Sequence, residues 1–207
     1  LHHPALGFAD IASLWLAFYC ARLLGVTGFG RFSFALAAAQ YAWLAGDAAL
    51  NGGYATRETA RDRGATAGQA GLFWGARLLA ALGLTALYLA ITLLVPHEPG
   101  TRRALAAGAV FFLAYAAFPD WALRGLEDFR GLALGNAAYA VALVVATLAL
   151  LPAHPDPALA VGLWGGCFAL AALVALPRLA RRGGLRLRPR FSLAAWRPHA
   201  RRSSLFS

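Results

Sequence analysis

The stretch "ARLLGVTGFGRFSFALAAAQ", residues 21 to 40, decides the fold class because its glycines interrupt two long apolar runs. Gly25, Gly28 and Gly30 do not have the order GxGxxG, and a helix-period run precedes them instead of a short strand, which argues against a phosphate-binding loop. Glycine allows a tight reversal because it adopts positive φ at little cost. The stretch therefore predicts the turn of a helical hairpin, with Arg22 and Arg31 on either side.

The composition predicts a membrane protein. Of the 207 residues, 60% are hydrophobic and only 14% are charged, and the mean hydropathy is +0.59. A hydrocarbon core about 30 Å thick needs roughly 20 apolar residues per helix. Six segments of that length are predicted as membrane spans: 5–24, 32–54, 71–95, 104–121, 131–151 and 158–177. The predicted fold class is all-α, a polytopic membrane protein with six transmembrane helices.

The arginines are distributed unequally between the two predicted faces. The face that holds residues 56–64, 123–130 and 178–207 carries fourteen, whereas the opposite face carries four. By the positive-inside rule the richer face, with both chain ends, is cytoplasmic. The net charge of +10 is then explained by topology and by contact with anionic lipids, so no nucleic-acid partner is expected.

The two cysteines and the histidines give no sign of a reactive centre. Cys20 and Cys167 both lie in apolar spans, and the five histidines are scattered in loops and tails. Neither a disulfide framework nor a cluster of metal ligands is predicted. We expect no catalytic residue, no metal and no cofactor.

Polar residues inside the predicted spans are the candidate functional groups, because an ionisable group in a bilayer usually faces a cavity or a partner. Ser33, Gln40 and Asp47 are spaced seven residues apart, which places them on one face of the second span. We expect this face to turn toward the interior of the bundle. Asp10, Asp47 and Arg77 lie about 7 to 10 Å from the predicted cytoplasmic ends of their spans, which suggests pairing. Such a pair would either close the bundle structurally or act as a gate.

The fifth predicted span carries Asn136, Tyr139 and Thr147. Polar side chains of this kind commonly form hydrogen bonds to a neighbouring membrane helix. We favour that structural interpretation for these three residues over a role in binding.

Two stretches resemble a known family. "ARLLGVTGFGRFSFALAAAQYAWLAGDAALNGGYATRETAR" (21–61) has R-x-L-G, a short turn, F-G, a small apolar stretch and then Arg57 near the cytoplasmic end of the second span. "PDWALRGLEDFRGLA" (119–133) has Asp120, Trp121 and Arg124 in a similar order. Both resemble bacterial polysaccharide-biosynthesis membrane proteins, the oligosaccharide-lipid flippases of the multidrug/oligosaccharidyl-lipid/polysaccharide exporter superfamily.

The resemblance implies a V-shaped, MATE-like transporter of two six-helix lobes in the bacterial inner membrane. Residues 1–180 would form the first lobe, and residues 181–207 a basic linker to a second lobe that this chain lacks, so we expect a fragment. From composition alone the linker is equally well explained as an interfacial segment or as a disordered basic tail.

The implied activity is transport, not enzymatic catalysis. Such proteins move undecaprenyl-pyrophosphate-linked oligosaccharide repeat units from the cytoplasmic to the outer leaflet. The expected partners are this lipid-linked oligosaccharide, membrane lipids, the second lobe, a polysaccharide polymerase and a chain-length regulator.

Several residues are expected to serve that activity. The expected substrate-binding residues are Arg22, Arg31, Gln40 and Arg77. Asp10 and Asp47 are the expected gating or coupling residues, whereas Arg57, Asp120, Trp121 and Arg124 belong to the cytoplasmic loop motifs. We expect Arg22 and Arg31 to hold the pyrophosphate by bidentate bonds, the alternative being that both extend to lipid phosphates.

Other functions stay open at this point. A multidrug exporter or a lipid II flippase of the same superfamily is closest. A major-facilitator transporter is disfavoured because residues 51–64 do not match its G-x-x-x-D-R-x-G-R-R link. A membrane-embedded glycan polymerase or glycosyltransferase would need an acidic or histidine cluster in a large loop, and a purely structural anchor would not need the polar face of the second span.

Overall fold

The chain is all-helical over the part that the structure describes. A computed structural model describes residues 4–50 and 66–182, and within them only backbone is described for residues 4–9, 47–50, 66–69 and 182. These ranges form eight helices: α1 (Pro4–Leu23), α2 (Gly25–Leu50), α3 (Thr66–Leu94), α4 (Pro99–Ala117), α5 (Asp120–Gly125), α6 (Phe129–Leu150), α7 (Pro157–Gly166) and α8 (Phe168–Arg182). The predicted all-α class is confirmed for these ranges.

Four helical segments in the described ranges are long and apolar enough to cross a membrane. They are Ala70–Leu94, Pro99–Gly125, Phe129–Leu150 and Pro157–Arg181. These segments match the predicted third to sixth spans. α1 and α2 take the places of the first two, and the count of six membrane spans stays a prediction.

The first hairpin turns more tightly than predicted. α1 ends at Leu23 and α2 begins at Gly25, whose φ is +66°, so Leu24 alone lies between them. The prediction that Gly28 and Gly30 belong to the turn is therefore wrong, because both lie inside α2. A glycine costs a helix only about 1 kcal/mol, which a helix of this length tolerates. Packing also favours glycine at position 28, since a Cβ there would lie 2.9 Å from the Leu24 Cβ.

Two other predicted spans are interrupted. The predicted span 104–121 is divided into α4 and α5 at Phe118 and Pro119, because proline has no N–H to continue the helix. The predicted span 158–177 is divided at Cys167, next to two glycines that weaken a helix, and continues as α8. The first of these breaks places a short buried helix at one end of the bundle.

α4 lies at the centre of the bundle. It packs against α2, α3 and α7, while α6 packs against α1 and α8. α4 and α7 approach closely at Gly165, where a Cβ would lie 2.9 Å from the backbone N of Phe111. The core there is aromatic, and the Phe111 ring stacks on Trp164 at 4.4 Å.

The two ends of the bundle are named here by the elements that they hold. The α5 end holds α5 together with the adjoining ends of α4, α6 and α8. The opposite end holds the turn at Leu24 and the connections 95–98 and 151–156. The arginine distribution predicts that the α5 end is cytoplasmic.

Candidate functional site

Arg77 of α3 forms a buried ion pair near the α5 end. Its Nη1 donates a hydrogen bond to Oδ1 of Asp120 at 3.0 Å. The side chains are only 9% and 13% exposed, respectively. A buried arginine needs such a partner, because an uncompensated charge in a low-dielectric interior is costly.

Two aromatic rings flank the Arg77 guanidinium. Its Cζ lies 5.4 Å from the ring centroid of Trp43 on α2 and 5.3 Å from that of Tyr115 on α4. A cation within about 6 Å of a ring centroid is attracted by the negative face of the ring. The charge of Arg77 is therefore held by α2, α4 and the first residue of α5 together.

Arg77, Asp120 and Arg124 together carry one more positive than negative charge. Arg124, one turn along α5, has Nη2 3.9 Å from Oδ2 of Asp120, so two guanidiniums share one carboxylate. The Nε of Arg77 is buried and has no hydrogen-bond partner in the structure. Guanidinium groups bind phosphate by paired, charge-assisted hydrogen bonds. The arrangement is thus chemically suited to attract an anion.

The expected partners of Arg77 were Asp10 and Asp47, and the partner found is Asp120. Asp10 is exposed on α1, and the side chain of Asp47 lies outside the described residues. Asp120, which lies at the end of the predicted span 104–121, was not among the carboxylates expected at the depth of Arg77. The chain breaks at Pro119, which brings Asp120 beside Arg77.

At the opposite end, Arg31 pairs with Glu98. Its Nη2 donates to Oε1 of Glu98, which lies just before α4. The guanidinium covers Gly100, where a Cβ would lie 2.8 Å from Nη1 of Arg31. Arg22 is exposed in the last turn of α1. Both arginines therefore lie toward this end, and Arg31 has a carboxylate partner that the sequence did not reveal.

Gln40 lies on the exposed side of α2. Among the side chains of that helix that the structure describes, those of residues 25–46, Phe32, Ala35 and Ala39 are buried, whereas Ser33 is half-buried. The prediction that this polar face turns into the interior of the bundle is wrong for Gln40. The seven-residue spacing identified a common face, but spacing alone does not say which neighbour that face meets.

Comparison with known proteins assigns the chain to a family. A family model described as polysaccharide biosynthesis protein matches residues 6–204, nearly the whole chain. The chain belongs to the polysaccharide biosynthesis protein family. No curated protein and no solved structure shows a significant match to it. The resemblance inferred from residues 21–61 and 119–133 is thereby confirmed at the level of the family.

The two loop motifs differ in how much of each the structure describes. Trp121 is buried, and its ring meets Phe73 edge to face at 6.3 Å, whereas Arg124 is exposed. Arg57 lies outside the described residues. The second motif therefore combines a packing residue, Trp121, with the charged pair Asp120 and Arg124.

The polar residues of α6 lie in the core. Tyr139 is fully buried and its hydroxyl lies 3.1 Å from Oγ of Ser13 on α1. The structural interpretation is confirmed for Tyr139, which bonds across to a neighbouring helix. Asn136 and Thr147 are also buried, and Oγ1 of Thr147 has no hydrogen-bond partner in the structure.

Sequence reasoning missed the residues that surround the two arginines. Trp43 and Tyr115 follow the apolar pattern of their helices, so nothing in the sequence separates them from ordinary core aromatics. Glu98 stands in a proline-rich connection, and nothing in the sequence marks it as the partner of Arg31. Asp120 was noticed only as part of a motif, although an aspartate is favoured in the first turn of a helix, where α5 holds it.

Proposed function

We propose that this family member is one lobe of a flippase that moves undecaprenyl-pyrophosphate-linked oligosaccharide repeat units across the bacterial inner membrane. Membership of the polysaccharide biosynthesis family and the four apolar, membrane-length helices support a membrane role in making polysaccharides. The direction and the substrate are our inference.

The observation that carries the proposal is a difference between the side chains exposed on α1 and α2 and those exposed on the other long helices. Away from their ends, α3, α4, α6 and α8 expose apolar residues, for example Leu87, Val141 and Leu173. α1 and α2 expose apolar residues as well, among them Leu14 and Leu44, but they also expose the polar side chains of Asp10 and Gln40. A carboxylate or amide that faces lipid within the bilayer is costly, so exposed Asp10 and Gln40 favour a face that meets water or another protein surface. We assign the α1–α2 face to the transport path.

The requirements of the substrate agree with this assignment. The polyprenyl tail can stay in lipid, whereas sugars and pyrophosphate need polar and cationic surroundings because stripping their water is costly. The excess cation at the α5 end attracts pyrophosphate at the predicted cytoplasmic side. Arg22 and Arg31 would receive it at the opposite end, where Arg31 must first leave Glu98.

A matched pair of substitutions tests the assignment of the path. Gln40→Leu removes an exposed polar group from the α1–α2 face, and we expect several-fold slower export of surface glycan by the intact protein. Thr85→Val is the control, because the Thr85 hydroxyl donates to the Ala81 carbonyl of its own helix. Equal export by Gln40→Leu and the parent protein, measured at equal membrane levels, would remove the main support for this path.

The role of Arg22 is tested by a conservative exchange. A bidentate phosphate contact does not survive replacement of arginine by lysine, whereas simple contact with lipid phosphates does. We expect Arg22→Lys and Arg22→Ala to reduce export alike. Full export by Arg22→Lys, with loss in Arg22→Ala, would show that charge alone suffices.

Two groups of alternative activities differ from the proposed one, the first in the molecule that is moved and the second in the reaction. A lipid II flippase or a multidrug exporter of the same superfamily would move a different molecule through the same path. A polymerase or glycosyltransferase would lengthen the glycan. Proteoliposomes that contain the intact protein and a fluorescent lipid-linked sugar separate these cases, because flipping changes the leaflet of the label without changing its mass.

A further inference from the structure

An apolar groove runs along the surface between α1 and α6. Its volume is about 570 Å³, and it is lined by Ile11, Ala12 and Trp15 of α1 and by five apolar residues of α6 from Ala140 to Leu148. Ala12 is buried at its base, whereas Ile11 and Val145 at its sides are 64% and 59% exposed. The groove is therefore open to whatever surrounds the two helices.

The groove lies in the half of the bundle toward the opposite end. On α6, which is long enough to cross a membrane, Ala140 is halfway along the helix and Leu148 is two residues from its end. Water would find no hydrogen-bond partners among apolar side chains, so such a space does not hold water well. A hydrocarbon chain fits this lining, because it gains dispersion contacts along its whole length.

Two aromatic rings and a cation follow the groove along α1. Trp15 is the lining residue of α1 nearest the opposite end, and its ring stacks on that of Tyr19 at 5.2 Å. Arg22 is seven residues beyond Trp15, which places it about 10 Å further along the helix and within about 20° of the same face. Arg22 is also exposed. α1 thus presents an apolar groove, then aromatic rings, then a guanidinium, which is the order of tail, interface and phosphate in a membrane lipid.

We propose that this groove holds the apolar tail of a polyprenyl diphosphate lipid whose diphosphate is bound by Arg22. The inference rests on the proposed function and adds to it where the tail lies once the head has reached the opposite end. A single groove takes one chain, whereas a glycerophospholipid brings two. A diphosphate also offers a guanidinium more charged oxygen acceptors than a phosphodiester does. Both features favour a polyprenyl diphosphate over the bulk phospholipids.

Photolabelling of the intact protein in lipid nanodiscs tests this assignment. The first probe is a polyprenyl diphosphate with a diazirine in its tail, the second is the polyprenol with the same diazirine and no phosphate, and the third is phosphatidylglycerol with a diazirine in one acyl chain. We expect the diphosphate probe to label residues 11–15 and 140–148 several-fold more than either of the other two. Arg22→Ala should lower labelling by the diphosphate probe to the level of the polyprenol probe.

A matched pair of substitutions tests the groove itself. Ala140→Phe places a ring in the groove, and we expect several-fold less labelling of both segments by the diphosphate probe. Ala86→Phe is the control, because Ala86 is exposed on α3, which does not line the groove. Val145→Phe narrows the groove from its exposed side and should also reduce labelling, so the test does not depend on the folding of Ala140→Phe alone.

The proposal is overturned if phosphatidylglycerol or polyprenol labels the groove as strongly as the diphosphate probe, because the site would then select neither the chain nor the phosphate. It is also overturned if no probe labels the groove, because another protein surface would then cover it.

Failure of the proposed function has a separate readout in proteoliposomes. A labelled groove in a protein that does not move a lipid-linked sugar between leaflets would contradict the flippase and leave the lipid site standing. An unlabelled groove in a protein that does move the lipid-linked sugar would contradict the lipid site alone.

Discussion

Arg77 and Arg31 are both arginines paired with a carboxylate, but their surroundings differ. Arg77 is enclosed by Trp43 and Tyr115, and its partner Asp120 is 13% exposed. Arg31 lies at the opposite end of the bundle, 28% exposed, and its partner Glu98 is 62% exposed. The strength of an ion pair depends on what replaces it when it breaks, and water can replace only the second pair. The comparison teaches that burial, not charge, decides which arginine stabilises the fold.

The largest expected effect comes from removing the buried cation. Arg77→Gln leaves Asp120 in the core with only Arg124, whose Nη2 is 3.9 Å away. Breaking a buried pair by removing one partner typically costs about 3 to 5 kcal/mol of unfolding free energy. Unfolding in mixed detergent micelles would measure this loss.

A double substitution checks that the loss of stability in Arg77→Gln comes from the Asp120 carboxylate, which loses its main partner. In Arg77→Gln with Asp120→Asn no buried carboxylate is left, so the double variant should be more stable than Arg77→Gln alone. If the two single losses simply add, the residues are not coupled and the buried pair is not the cause.

The next-largest expected effect comes from the contact between the Arg77 guanidinium and the Tyr115 ring. Tyr115→Leu removes one ring beside the guanidinium, whereas Tyr115→Phe keeps a ring at the same place. A desolvated cation–π contact contributes on the order of 2 kcal/mol, so Tyr115→Leu should lose about this much in addition to ordinary packing. A double-mutant cycle with Arg77→Gln separates the two contributions. A coupling energy near zero would mean that the ring only fills space.

The sequence predicted the class of the fold but not the contacts of its charges. Long apolar runs identify helices of membrane length, because a fixed bilayer thickness demands a fixed number of residues. The partner of Arg77 depends on a break at Pro119 that changes where Asp120 lies, and hydropathy does not register such a break. The exposure of Gln40 could not be predicted for a different reason. A seven-residue spacing defines a face, and the packing of α2 against α4 decides which face is buried.

The exposed pair at the opposite end should be much weaker. Arg31→Gln breaks the bond to Glu98, but both groups can be hydrated, so we expect a loss of about 1 kcal/mol or less. The contribution should also decrease as salt is added, because exposed charges are screened. Unfolding at low and high ionic strength measures both effects. A loss as large as that of Arg77→Gln would contradict the comparison between the two arginines.

The smallest expected effect tests how firmly Arg31 is held. Alanine at Gly100 would place a Cβ 2.8 Å from Nη1 of Arg31, which is the far end of a flexible side chain that can move aside. Alanine also favours the first turn of α4 by up to about 1 kcal/mol over glycine, so the two contributions should nearly cancel in the parent protein. In the Arg31→Gln background this obstacle is absent, and Gly100→Ala should stabilise by roughly 0.5 kcal/mol more than it does in the parent. Thermal unfolding of the four variants in detergent measures this difference. An equal effect of Gly100→Ala in both backgrounds would show that Arg31 leaves Gly100 at no cost, and that its bond to Glu98 places no constraint on this end of the bundle.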